Sequence, residues 1–372
     1  MKISVTGMAI LGVLISSVHC SPIVNALSSL SIFPRAVPLP SKDGTFTDSK
    51  LKMRSAITCP NDITGRKGGV VLLVHGTALD GQNSWPQSPF VQLLPDAGPG
   101  FDVCWVTLPN KGLSDVQVGG EYVAYAIQFL SRRSSTGKVS LVGHSQGGGL
   151  NIPHALIYFP TARSKVSSFV GLAADFHGTT LLPDPVCAVQ TILSGGKGCS
   201  ASFLQQKMDS QFLKAQQYFM SQEIVPIIMS TFADAFLHST TSVFTRTDEI
   251  VIPQIGPNTS SRLQGSVQVP IQDFCGPLAI ADHLSMLATP VAYAMTLAAF
   301  ISPTGKPNLH TFDKIQCYNL TNANLNSDDV IPTVDFVTTL VGSVAGSGGV
   351  YTKGEPPLKP YICQNDAPVR CS

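Results

Sequence analysis

Short apolar runs closed by glycine or proline set the rhythm of the first half of this chain. GGVVLLVHGT, from Gly68, holds the five-residue run of a strand buried on both faces and ends at Gly76. GFDVCWVTLP, from Gly100, repeats the pattern and stops at Pro109. Between that run and the next, EYVAYAIQFLSRRSS places Tyr122, Ala126, Phe129 and Leu130 at helical spacing and finishes in arginines, which suit a helix C-terminus. KVSLVGHSQGGG then predicts a strand running into a glycine turn, and GLNIPHALIYF the helix leaving it, with Pro153 in its first turn.

Further along, KVSSFVGLAAD and TSVFTRTDEIV read as strands, and VQVPIQDF as a shorter last one. Strands alternating with helices predict an α/β fold: a mostly parallel sheet with helices on both faces. Residues 186–240 break the alternation with helical patterns such as SFLQQKMDSQFLKAQQYFM, a helical insertion over one edge or face. An apolar, glycine-ended helix is predicted within 325–349. The chain shows no internal repeat.

Composition narrows the function classes. Of 372 residues 44% are hydrophobic and 13% charged, which fits a packed globule. With 24 Lys+Arg against 23 Asp+Glu and no block of like charge, nothing points to nucleic acid or an anionic membrane as partner, and no obligate protein partner is evident.

At the N-terminus, Lys2, the run MAILGVLI and the small or polar residues up to Cys20 read as a secretory signal peptide over 1–20, too short in its apolar part to span a bilayer. Residues 21–58, rich in Ser, Pro and Lys, read as a leader or propeptide and an extended N-terminal segment, with a second cut near Arg35 as one option. A single domain is drawn over 59–372. Nine cysteines are present; with Cys20 at the cleavage point, the eight that remain suit four disulfides in an oxidising compartment. No cysteine or histidine spacing suggests a metal, and no cofactor is called for. Asn258 and Asn319 head glycosylation sequons.

Chemistry enters at Gly143-His144-Ser145-Gln146-Gly147, a Gly-x-Ser-x-Gly motif. A chain with 32 glycines yields those letters readily by accident, and a plain glycine-rich turn would use them too. Its setting between strand and helix is what a nucleophile elbow requires. A serine nucleophile needs a base and an acid, in the order Ser, acid, His, each after a strand. Of eight histidines, His19 falls in the signal peptide and His75 precedes the serine. His144 adjoins Ser145, with its side chain expected to point away from the hydroxyl. His154, His177 and His238 come before the strand TSVFTRTDEIV, and His310 lies beyond the useful range.

His283, in GPLAIADHLS, follows the last predicted strand and is the candidate base. Asp248, at the end of TSVFTRTD, is the candidate acid, with Glu249 as its competitor, while Asp175 suits a pocket-lining role. Oxyanion donors are expected from the backbone of Gln146 and from the loop after the first strand, where Thr77 offers both N–H and hydroxyl.

Taken together the chain resembles the secreted fungal lipase family of Candida antarctica lipase B. The resemblance runs in patches from about Ile57 to the C-terminus: ITC, LVHGT, DVCW, EYVAYAI, HSQGG, FPTARSKV, TDEIVIPQ, FCGPL with ADH, and EPPLKPY. It implies an α/β-hydrolase fold, a triad of Ser145, Asp248 and His283, and oxyanion donors at Thr77 and Gln146. It also implies Asp175 and Gln206 at the acyl pocket and disulfides Cys59–Cys104 and Cys275–Cys317. The helix at 328–345 corresponds to one walling the pocket in that family.

The chain departs from the founding member at Gly143, where the founder has threonine, and at His144, where it has tryptophan. Gly354 replaces one half-cystine of the founder's C-terminal disulfide. Cys363–Cys371 is the expected substitute and Cys187–Cys199 an added clamp on 186–240. The expected function is a secreted serine carboxylester hydrolase acting on a lipid or ester, with an oil–water interface as one setting. An acyltransferase on the same triad and a catalytically silent lipid-binding protein are the rivals.

Overall fold

A computed structural model describes residues 39–180, 183–220, 239–279, 281–317, 350–365 and 368–371. Among the described residues seven strands form the main sheet: β1 (Ile57–Thr58), β2 (Val70–Val74), β3 (Asp102–Val106), β4 (Val139–His144), β5 (Val166–Leu172), β7 (Thr240–Phe244) and β8 (Val267–Pro270). Their order is β1-β3-β2-β4-β5-β7-β8, and every pair is parallel except β1 with β3. A separate pair joins β6 (Cys199–Ser200) to β9 (Tyr351–Thr352).

The apolar runs are short because each crosses a sheet buried on both faces. On β2, Val70, Leu72 and Val74 enter one core, and Val71 and Leu73 enter the other. The first core packs beneath the helices Val116–Ser131 and Ile152–Tyr158; the second lies under Pro290–Ile301. Asp115 caps the long helix by accepting the N–H of Gln117. With all these strands parallel, the loops leaving β2, β4, β5, β7 and β8 emerge at one edge, where ligand sites of such sheets form.

Two boundaries differ from the sequence reading. Residues 39–58 are built into the domain, so the boundary drawn at Cys59 moves toward the N-terminus. Met53, on the helix Lys50–Ser55, is fully buried, and β1 pairs with β3. Polar anchors hold the rest: Gly44 N–H donates to Tyr158 O (2.9 Å), Thr161 N–H to Asp43 (2.8 Å) and Tyr122 hydroxyl to Asp48 (2.8 Å). Such anchoring leaves no apolar periodicity to read.

The second difference is at β7, which stops at Phe244, four residues short of Asp248. The hydroxyls of Thr245 and Thr247 turn away from the ladder to donate to Ala281 O (2.9 and 2.7 Å).

The 186–240 insertion begins with helices Pro183–Leu193, Ala201–Gln205 and Gln211–Met220. The expected helix near 325–349 lies outside the described residues, as do the signal peptide and Arg35. Among the described residues no helix is long and apolar enough to cross a membrane.

Candidate active site

Ser145 follows β4 directly and sits at φ +52°, in the left-handed region that a side chain adopts only when its surroundings enforce it. Three backbone hydrogen bonds do so. Its N–H donates to Leu172 O on β5 (2.9 Å), and its carbonyl accepts from the N–H groups of Gly148 and Gly149 (2.9 and 2.8 Å). The glycines allow the close approach. A β-carbon on Gly147 would overlap the carbonyls of Val74 and His75, and one on Gly76 would lie 2.9 Å from Ser145 Cβ. The chain then runs through a wide turn over Gly147–Asn151 before the helix Ile152–Tyr158 begins, so the helix of the sequence reading starts later than GLNI suggested.

Asp248 and His283 meet beneath the same edge. The imidazole Nδ1–H of His283 donates to Asp248 Oδ2 at 2.9 Å, both side chains being out of solvent. Asp248 Oδ1 accepts the N–H groups of Ile250 and Val251 (2.9 and 2.7 Å), which aims the remaining oxygen at the imidazole. With Nδ1 bearing hydrogen, the neutral ring carries its lone pair on Nε2, the arrangement of a general base. Burial pushes the pKa of His283 down. The charge and hydrogen bond of Asp248, followed by the charges of Glu249 and Asp175, more than offset it, so the net shift is upward from 6.5. His283 reaches the elbow through its neighbour: His144 Nε2 lies 2.9 Å from His283 O, and the two rings are 4.7 Å apart. The His144 ring therefore packs beside the imidazole of His283.

Thr77 and Gln146 belong to a network whose directions are fixed by backbone carbonyls. Asn151 Nδ2 donates to Val116 O, so its Oδ1 accepts from Gln146 Nε2, which also donates to Gly112 O (each 3.1 Å). Gln146 Oε1 then accepts from Gln206 Nε2 (3.0 Å) and from the Thr77 hydroxyl (2.6 Å). Gln206 Nε2 also donates to Ser202 O, so Gln206 faces Thr77 with its oxygen, 3.2 Å away. Both groups around the Thr77 hydroxyl are acceptors. Its proton is committed to an amide oxygen, and the backbone N–H is the donor left to serve an oxyanion.

Asp175 is fully buried against Gly149, and neither carboxylate oxygen makes a hydrogen bond of good geometry among the described residues. Burial raises its carboxyl to about 7; its own N–H and the His283 charge pull the other way, and the Asp248 charge adds to the rise. Around the site runs an apolar cluster that includes Ala78, Leu79, Phe203, Ile250, Val251 and Leu284. Ala78 and Leu284 directly follow Thr77 and His283 in the chain, and Ile250 lies two residues after Asp248.

The other described histidines serve the fold or the surface. His75 Nδ1–H donates to Gly76 O (2.7 Å) while Nε2 accepts Leu108 N–H (2.9 Å), and burial lowers its pKa to about 4. His154 Nε2 pairs with Tyr361 hydroxyl at 3.0 Å. Glu249 takes the backbone N–H of His283 (3.1 Å) and not its ring. Thr245, Thr247 and Glu249 shape the site through bonds to a distant loop, a role that their own stretch of sequence does not announce.

Among the described residues four disulfides are present: Cys59–Cys104, Cys187–Cys199, Cys275–Cys317 and Cys363–Cys371. Asn258 is exposed, while Asn319 lies outside the described residues.

A family model described as the alpha/beta hydrolase fold matches residues 69–188. Lipase B of Pseudozyma antarctica is 29% identical over 362 residues, covering 96% of this chain and 94% of that protein. The crystal structure of Aspergillus fumigatus lipase B superposes with a TM-score of 0.71 at 26% identity, over 87% of this chain and 74% of that one. With this sheet, this elbow and these relatives, the chain has the α/β-hydrolase fold and is a carboxylic ester hydrolase similar to lipase B.

Proposed function

We propose that the chain is a secreted serine lipase or long-chain esterase that works through an acyl-enzyme on Ser145. The observation that carries this reading is the buried Asp248–His283 pair, tied through His144 to the neighbouring serine at positive φ. In the reaction, His283 Nε2 accepts the Ser145 proton as Oγ attacks the ester carbonyl, and Asp248 stabilises the imidazolium that forms. The N–H groups of Gln146 and Thr77 stabilise the oxyanion. His283 returns the proton to the leaving alcohol, and a water activated the same way releases the acid. Asp175 and Gln206 line the acyl side, and the apolar cluster favours a hydrocarbon acyl chain over a polar one.

Secretion rests on the signal-like residues 1–20, with 21–38 as leader, and fits the four disulfides. In the test, purified protein and Ser145→Ala are compared by titrating acid released from emulsified triacylglycerols and soluble esters. Release by the wild type, lost by at least about a thousandfold in the variant, supports the reading. Equal release by both overturns it. An alcohol acceptor added to the same assay separates hydrolysis from acyl transfer.

A further inference from the structure

His283 lies in a loop between the helix Ile271–Cys275 and the turn Ser285–Leu287, so no regular element fixes its backbone. Its Nδ1 bond to Asp248 orients the ring about that backbone but does not by itself locate the backbone. Thr245 and Thr247 hold Ala281 O two residues earlier, and two further side chains from outside the loop bond to the His283 backbone itself. His283 N–H donates to Glu249 Oε2 at 3.1 Å, and His283 C=O lies 2.9 Å from His144 Nε2. A carbonyl only accepts, so His144 Nε2 carries the hydrogen.

These partners occupy telling positions. His144 immediately precedes the candidate nucleophile, and Glu249 immediately follows the candidate acid. The neighbour of each catalytic side chain therefore grips the main chain of the third.

We propose that His144 and Glu249 are positioning residues that hold the backbone of His283 from both sides and so fix its distance from Ser145. The inference rests on the reading of Ser145, Asp248 and His283 as the reacting set. Burial, then the charge of His283, lowers the His144 pKa to about 3, so the tether stays neutral and adds no cation beside the imidazolium. Glu249 acts differently: besides accepting the N–H, its charge raises the His283 pKa, together with Asp248 and Asp175.

The test measures kcat, KM, melting temperature and the pH dependence of kcat/KM on p-nitrophenyl butyrate. His144→Phe keeps an aromatic ring and loses the donor; His144→Gln keeps an N–H on a flexible stem. Glu249→Ala loses the acceptor, and Glu249→Gln keeps it without charge. His144→Phe and Glu249→Ala are expected to lower kcat about 10- to 100-fold, with KM moving less than about threefold. The two glutamine variants are expected to recover most of that loss. Glu249→Gln is also expected to shift the acid limb to lower pH, where the His144 variants leave it.

Turnover within about twofold of wild type in both His144→Phe and Glu249→Ala overturns the proposal. So does a loss in the glutamine variants that tracks a fall in melting temperature. If His144→Phe does not fold, His144→Asn, too short to reach the carbonyl, carries the same comparison. Ser145→Ala keeps the two readings apart: full activity there would sink the reacting set itself, whereas an inactive Ser145→Ala beside unaffected tether variants sinks only the tether.

Discussion

Replacing Asp175 with asparagine probes a carboxyl that the fold buries without a hydrogen-bond donor. Its pKa stands at about 7 against an ordinary 3.8. Below pH 3.8 the folded and unfolded chains both hold the proton, and the group contributes no pH dependence. As pH rises from 3.8 to 7 the unfolded chain ionises and the folded one does not, so stability falls by about 1.4 kcal/mol per pH step. Above pH 7 both are ionised and the loss levels off at about 4 kcal/mol, an order-of-magnitude figure set by burial. Asparagine is close in shape to the protonated acid and has no such titration.

Its own cost, that of a buried amide, is independent of pH. The informative quantity is therefore the change in the offset between variant and wild type. Relative to its offset at pH 4, Asp175→Asn should gain about 5–10 °C in melting temperature at pH 8, at about 2 °C per kcal/mol for a large domain. Scanning fluorimetry of both proteins from pH 4 to 9 measures it. An offset that stays constant with pH would refute the reasoning, because it would mean Asp175 ionises as freely folded as unfolded.

Three further outcomes follow from the same geometry. His283 must be neutral to accept a proton, and its pKa lies above 6.5, so kcat/KM should rise with pH through that raised value; Asp248→Asn should move the midpoint down and lower kcat by about 10³–10⁴. In Thr77→Val the hydroxyl is lost but the backbone N–H remains. Because that hydroxyl donates to Gln146, kcat should fall less than about tenfold, whereas a loss of 10²–10³ would show it donating to the oxyanion. Gly147→Ala places a β-carbon on the Val74 and His75 carbonyls and should destabilise the fold by about 3 kcal/mol or more, seen as a lower melting temperature or failure to express.

Much of the sheet was legible because a strand buried on both faces must be apolar throughout, as in VVLLV, and only short runs of that kind occur here. The helix at 116–131 announced itself by periodicity, although Asp115, its cap, starts it five residues ahead of the quoted pattern. Residues 39–58 escaped notice because they dock through Asp43, Gly44 and Asp48, and polar anchors have no period. The end of β7 differs for a related reason: threonines in TRTD suit a strand, but here their hydroxyls serve a loop 36 and 34 residues on.

The site shows the same division. Ser145 is marked locally, by glycines whose necessity can be checked position by position. Asp248 and His283 were assigned by chain order and by resemblance, and the structure sets them 2.9 Å apart. In sequence, His144 reads as a side chain pointing away from the serine hydroxyl and Glu249 as a rival acid. Their roles depend on where a distant loop arrives, which no local pattern encodes.

The central claim concerns one hydroxyl made reactive by one imidazole. Incubating the protein with a fluorophosphonate and mapping the adduct by peptide mass spectrometry addresses it directly. A single adduct on Ser145, absent from Ser145→Ala and formed orders of magnitude more slowly in His283→Ala, is the expected result. No adduct, an adduct on another residue, or labelling of His283→Ala at the wild-type rate would contradict the account.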